Sequence, residues 1–125
     1  MHKFSSNKPI YLQLMDIIKQ QIATGQLGEN EKVKSVRDLA IEFGVNPNTA
    51  QKALSELERE GLIFTERTSG RFVALPAKRI KEHRAELVGA KTDEYLSWMR
   101  DLKYSDTEIK NLINKALQKE EKKNG

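Results

Sequence analysis

Asn48, Thr49, Gln51, Lys52 and Ser55 crowd into the run NPNTAQKALSELEREG, and each can make hydrogen bonds through its side chain. At helical spacing, positions 48, 51, 52 and 55 fall on one face. The amides of Asn48 and Gln51 can pair bidentately with N6 and N7 of adenine, and the Thr49 methyl suits a thymine methyl. This is the chemistry of reading base edges in a major groove. Lys34, Arg37, Arg67 and Arg71 lie within reach in sequence and add cations of the kind that hold phosphates.

Other chemistries find less support. The chain contains no cysteine, which removes disulfides, thiol catalysis and cysteine-based zinc sites. Its histidines are His2, near the terminus, and His83, which stands among charged residues and reads as a solvated surface group. Glu56, Glu58 and Glu60 lie in a charged segment and read as a wet helix face, with no apolar pocket to tune them for acid–base work. No glycine loop of the phosphate-cradling type is present. The expectation is a protein that is not an enzyme and needs neither cofactor nor metal.

The elements that must position these residues begin at Ser35. Its hydroxyl can cap a helix, and Asp38 stands where its side chain can reach back to the cap amide. Leu39, Ala40 and Phe43 give that helix one apolar face. Gly44 and Val45 form a tight turn. Asn46 caps a second helix and Pro47 opens it, where a missing N–H costs nothing. Ala50, Ala53, Leu54 and Leu57 recur at helical spacing, and Gly61 supplies a left-handed stop. Two helices this short joined by three residues make a helix-turn-helix.

A chain of 125 residues with 38% apolar and 32% charged residues suits one small helix-rich domain with an appendage. A net charge of +4 is low for a partner of a polyanion, so the basic groups must cluster. No apolar run approaches the roughly 18 residues of a membrane span. The opening MHKFSSNKPI lacks the apolar stretch of a signal peptide, which places the protein in the cytoplasm.

Residues 1–8 are polar and expected to be loose. Pro9 opens a first helix, with Ile10, Leu14, Ile17, Ile18 and Ile22 as its stripe and Gly25 as its end. Gln26 to Lys34 is a connector, with Gly28 and Asn30 able to take positive φ. After Gly61 the period shifts toward two: Leu62–Thr65 and Phe72–Ala74 read as strands around a turn at Thr68-Ser69-Gly70, closed by Pro76. Three helices and a hairpin make a winged helix-turn-helix. The fold class is therefore mainly α (α+β), with a DNA-binding domain at 1–76. Residues 77–125 read as a two-helix C-terminal dimerisation segment. Leu87, Val88, Tyr95, Leu96 and Met99 supply the stripe of its first helix. A Ser105–Glu108 capping box opens the second, which carries Ile109, Leu112, Ile113 and Leu117. The tail KEEKKNG is expected to fray. Too apolar for free surface helices and too small for a domain, the pair is completed by a second copy. The competing reading folds both helices back on their own domain. Tyr95, Trp98, Met99 and Tyr104 could also line a small-molecule effector pocket between subunits, though such a stripe more often packs.

The run from Pro9 to Val73 resembles the DNA-binding domain of GntR-family bacterial transcription regulators. The matching pieces are PIYLQL at 9–14, Ile22 with Gly25, SVRDLA at 35–40, GVNPNTAQKALSELEREGLI at 44–63 and SGRFV at 69–73. The Asn-Pro-Asn-Thr segment and the short tail look most like the YtrA-like branch, whose members, as the resemblance implies, dimerise through the tail. By the same resemblance Arg37 contacts DNA, Ser35 caps its helix near a phosphate, and Pro47, Asn48, Thr49 and Gln51 fall at recognition-helix contacts. Asn46 caps that helix, and the turn at 67–70, with Ser69 and Gly70, matches the wing tip. The chain departs from the family pattern at Asn30, Lys34, Thr68, Ser69 and Arg71. The implied function is a sequence-specific regulator, a repressor, that binds a near-palindromic double-stranded DNA operator as a homodimer. The alternative is a winged helix used for protein–protein contact.

Overall fold

Pro9 has no N–H to donate, and its carbonyl accepts the amides of Leu12 and Gln13 at 3.1 and 3.3 Å. It stands just outside the first helix, α1 (Ile10–Ala23), as its N-cap rather than its first residue. The structure is a computed structural model and describes residues 2–124. Leu14, Met15, Ile18, Ile22 and Ala23 are the buried residues of α1, whereas Ile10 is 42% exposed. The buried face is thus turned toward Met15 relative to the expected stripe. Residues ahead of Pro9 are held, not loose. The Gln13 side chain accepts from the Ser5 amide and donates to the carbonyls of Ser5 and Lys8. The rings of His2 and Phe4 lie 5.8 and 6.5 Å from that of Phe43.

Ser35 caps α2 (Val36–Phe43), its hydroxyl accepting the Asp38 amide at 3.1 Å. The return bond from the Asp38 carboxylate is not formed. Gly44, at φ 65°, ends α2 in the left-handed conformation. Asn46 then caps α3 (Pro47–Arg59), its Oδ1 accepting the Asn48 amide at 2.8 Å, with Pro47 at the first position. Gly61 turns the chain out at φ 80°.

Helix α3 is the hub of the domain. It packs against α1, α2 and the first strand. Ala50, Ala53, Leu54 and Leu57 all have no exposed surface. The two alanines let neighbouring helices approach, and the leucines fill the core with Leu14, Ile18, Ile22, Leu39, Ile63 and Val73. Burying each large aliphatic side chain is worth about 1.5–3 kcal/mol.

The hairpin pairs β1 (Ile63–Glu66) with β2 (Gly70–Val73) antiparallel, placing Ile63 opposite Val73, Thr65 opposite Arg71 and Glu66 opposite Gly70. Its turn occupies residues 67–69, and Gly70 already belongs to β2, at φ 114°. The connector is more ordered than its composition implies. Val33 donates to the Arg71 carbonyl at 2.8 Å, Val73 to Glu31 at 2.9 Å and Asn30 to Val73 at 3.1 Å, so residues 30–33 run beside β2, joined to it by an isolated bridge at Lys32. Asn30 takes the positive φ, 63°, while Gly28 does not.

Contacts divide the chain into two compact units, Met1–Arg84 and Ala85–Gly125. A single 3-10 turn (Ala77–Arg79) precedes α4 (Ile80–Asp101), whose first residue Ile80 packs on the winged core. His83 is 8% exposed, with Nε2 sealed and unbonded, so the expected solvated histidine is a buried one. Lys103, at φ 70°, turns the chain between α4 and α5 (Asp106–Asn124). The capping box forms in both directions, the Ser105 amide donating to Glu108 at 2.9 Å and the Glu108 amide to the Ser105 hydroxyl at 3.1 Å. Those contacts with Ser105 hold the Glu108 carboxyl below its ordinary value. The helix continues through the expected frayed tail to Asn124. No helix among the described residues is long and apolar enough to cross a membrane.

Because Leu54 is sealed between α3's neighbours, Leu54→Ala is expected to cost about 2–5 kcal/mol, read as a lower urea midpoint with an unchanged slope.

Candidate nucleic-acid interface

The burial of one side of α3 fixes what its other side offers. Asn48, Gln51, Lys52 and Ser55 are exposed and Thr49 is half-buried. The Gln51 side chain lies along the helix, its Nε2 donating to Ser55 Oγ at 3.0 Å. Lys52 holds its ammonium 4.2 Å from the centre of the Tyr11 ring, a cation–π contact that anchors the lysine beside α1. Asn46 and Pro47 are exposed at the helix start. With Asn46 Oδ1 committed to the cap, its amide nitrogen is the group left to give.

At the start of α2, Ser35 and Arg37 are exposed, and Arg37 has no acidic partner among the described residues. Lys34, one residue earlier, has its Nζ 2.8 and 2.9 Å from the two carboxylate oxygens of Glu42. Its charge is therefore compensated within the domain. On the hairpin, Arg67, Ser69 and Gly70 are exposed, and Arg67 is likewise without an acidic partner among the described residues. Arg71 differs. Its side chain retains 23% exposure and its Nε stands 3.9 Å from Glu58 Oε1. Beside the exposed row of α3, Arg37 on α2 and Arg67 on the hairpin are thus without an acidic partner among the described residues, with Lys52 between them in sequence.

Two residues absent from the sequence reading belong beside this surface. Tyr11 seats Lys52. Lys32 bridges to Phe72 from the connector, and its side chain lies over Gly70. A Cβ at position 70 would stand 3.1 Å from Lys32 Cε and 3.7 Å from its Nζ. Neither could be singled out beforehand, because Tyr11 stands outside the stripe of the first helix and Lys32 sits in a stretch without periodicity. The acidic groups on α3 are also engaged: Arg59 donates to Glu56, which holds the Glu56 carboxyl below its usual range. No cluster of His, Asp and Glu that could hold a metal ion occurs among the described residues.

In the second unit, Met99 and Ile109 are buried at 4% and 3% exposure on either side of the interhelical turn. Leu87 and Leu96 are half-buried, while Val88, Tyr95, Leu112, Ile113 and Leu117 are exposed. Tyr95 and Trp98 lie with ring centres 6.2 Å apart along an open groove shared with Lys91 and Glu94. Met99 is buried and Tyr104 exposed.

Comparison with known proteins places this geometry in company. Residues 10–73 match the family described as bacterial regulatory proteins, gntR family. The chain is 36% identical over 108 residues to the HTH-type transcriptional regulator YhcF of Bacillus subtilis, covering 86% of this chain and 89% of the relative. It is 33% identical over 112 residues to the HTH-type transcriptional repressor YtrA of the same organism, covering 78% and 86%. A GntR family transcriptional regulator from Listeria monocytogenes superposes with a TM-score of 0.79 at 33% identity, over 90% of this chain and 98% of that one. The DNA-binding domain of AraR, solved in complex with operator ORR3, superposes with a TM-score of 0.52 at 29% identity, over 59% and 92%.

Gly70→Ala places a side chain at φ 114° and against Lys32, so it is expected to destabilise the hairpin by about 1–3 kcal/mol. Faster amide exchange across residues 63–73, with α1 unaffected, is the readout.

Proposed function

The chain belongs to the gntR family of bacterial regulatory proteins, and on that premise we propose that it is a repressor acting as a homodimer on a near-palindromic operator. It is a DNA-binding transcriptional regulator, as its relatives are. The observation that carries the finer reading is the division of α3 into a side with no exposed surface and a side presenting Asn48, Gln51, Lys52 and Ser55. In this reading α3 enters the major groove with its N-terminal residues toward the base edges. Asn48 and Gln51 read bases, and Thr49 meets a thymine methyl or a phosphate. Arg37, Lys52 and Arg67, with Ser35 and the amides at the starts of α2 and α3, hold phosphates and set the register. Ser69 and Gly70 let the wing backbone approach the duplex closely. Lys34 orders the approach to α2 through Glu42.

The winged domain at 1–76 supplies the reading surface and the segment at 77–125 supplies dimerisation. Support for the second role comes from the exposed apolar row of Val88, Tyr95, Leu112, Ile113 and Leu117, which water solvates poorly and a second copy would cover. Two copies would place their α3 helices in successive major grooves, about 34–36 Å apart. Repression is proposed from the printed function of the YtrA relative, and the setting is the cytoplasm.

Three outcomes test the reading. Selection of bound duplexes from a random pool should return a two-fold symmetric site, and an asymmetric consensus would defeat the near-palindrome. Gln51→Ala should relax discrimination at one base pair of each half-site by about 1–3 kcal/mol, whereas Arg37→Ala should weaken all sequences alike and flatten the salt dependence by about 0.9 per half-site. Leu112→Asp with Leu117→Asp should convert a dimer to a monomer in sedimentation velocity while the winged domain stays folded.

A further inference from the structure

Arg71 lies beside the reading surface and yet is only partly exposed. It stands directly opposite Thr65 in the hairpin ladder, so both side chains project from the same face. Both converge on one carboxylate. Thr65 donates its hydroxyl to Glu58 Oε1, and Arg71 Nε lies 3.9 Å from that same oxygen. Glu58 belongs to α3, three positions beyond Ser55 at the far end of the exposed row. The cleft between helix and hairpin is lined by Ser55, Glu58, Arg59, Thr65 and Arg71. Arg71 Nε is sealed from solvent without a hydrogen-bond partner, and the Glu58 carboxylate is its nearby counter-charge.

We propose that Glu58 is a positioning residue that ties the wing to the recognition helix and withholds Arg71 from DNA phosphate. The inference rests on the DNA-binding reading above and adds to it a reason for discrimination. An arginine free to swing outward beside the groove would gain a phosphate contact on any sequence, since phosphate contacts carry no sequence information. That gain would strengthen binding everywhere and narrow the margin between operator and bulk DNA. A carboxylate held by a threonine on one strand and facing an arginine on the other prevents it. The same contact fixes the angle of the hairpin, because one side chain on α3 engages both β1 and β2.

The test titrates full-length wild type, Glu58→Gln, Arg71→Gln and the double variant against the pool-selected operator and against a mixed-sequence duplex, between 50 and 200 mM salt. The glutamine keeps an acceptor for Thr65 while removing the charge. Glu58→Gln should steepen the salt slope on the mixed-sequence duplex by about 0.9 per protomer, so that affinity falls about 3.5-fold further per protomer across that range. Arg71→Gln alone should leave the slope unchanged, and the double variant should return to the wild-type slope. An unchanged slope in Glu58→Gln, a flattened slope in Arg71→Gln, or a double variant that stays steep would overturn the proposal. Wild-type protein that binds neither duplex would instead remove the reading on which it rests.

Discussion

The constraint on which the rest depends is the complete burial of one side of α3. Ala50, Ala53, Leu54 and Leu57 are closed off by α1, α2 and β1 together. A helix held on three sides cannot rotate about its axis without exposing leucine, so the orientation of its polar row is a property of the core. Side chains on such a face need no help from a loop to stay aimed outward. The capping atoms then set where the row begins: Asn46 fixes the first turn, and Gly44 reverses the chain in the three residues available.

Charge is managed more tightly than a net value of +4 indicates. Around the reading surface Lys34 is answered by Glu42, Arg59 by Glu56 and Arg71 by Glu58. Arg37 and Arg67 are left uncommitted among the described residues. Exposed pairs of this kind contribute little to stability. Under the proposed function, their effect would be to decide which cations a polyanion meets first. Gln51 adds a related point: its amide is already bonded to Ser55. Under the proposed readout, pairing with adenine would exchange one hydrogen bond for others, and a wrong base would leave the original bond in place.

Much of this was legible in the chain. The helix-turn-helix was visible because its signals are local: Ser35 and Asn46 as caps, Gly44 and Gly61 as stops, and aliphatic residues at steps of three and four between them. The exposure of Asn48 and Gln51 followed from the same periodicity. What could not be read depends on partners distant in sequence. The bridged segment at 30–33 has no alternation of its own and is held because β2 offers it free carbonyls and amides. The burial of His83 and the orientation of Arg71 toward Glu58 are tertiary facts of the same kind. The expected loose N-terminus was misjudged because its order comes from Gln13, a polar residue that a hydrophobic pattern passes over.

That ordered N-terminus has a practical consequence. Gln13 ties the backbone at Ser5 and Lys8 to α1, while His2 and Phe4 rest near Phe43 at the end of α2. A purification tag fused ahead of His2 would emerge next to the helix-turn-helix itself, and a bulky one would crowd the end of α2. Cleavable handles keep that neighbourhood as the chain builds it.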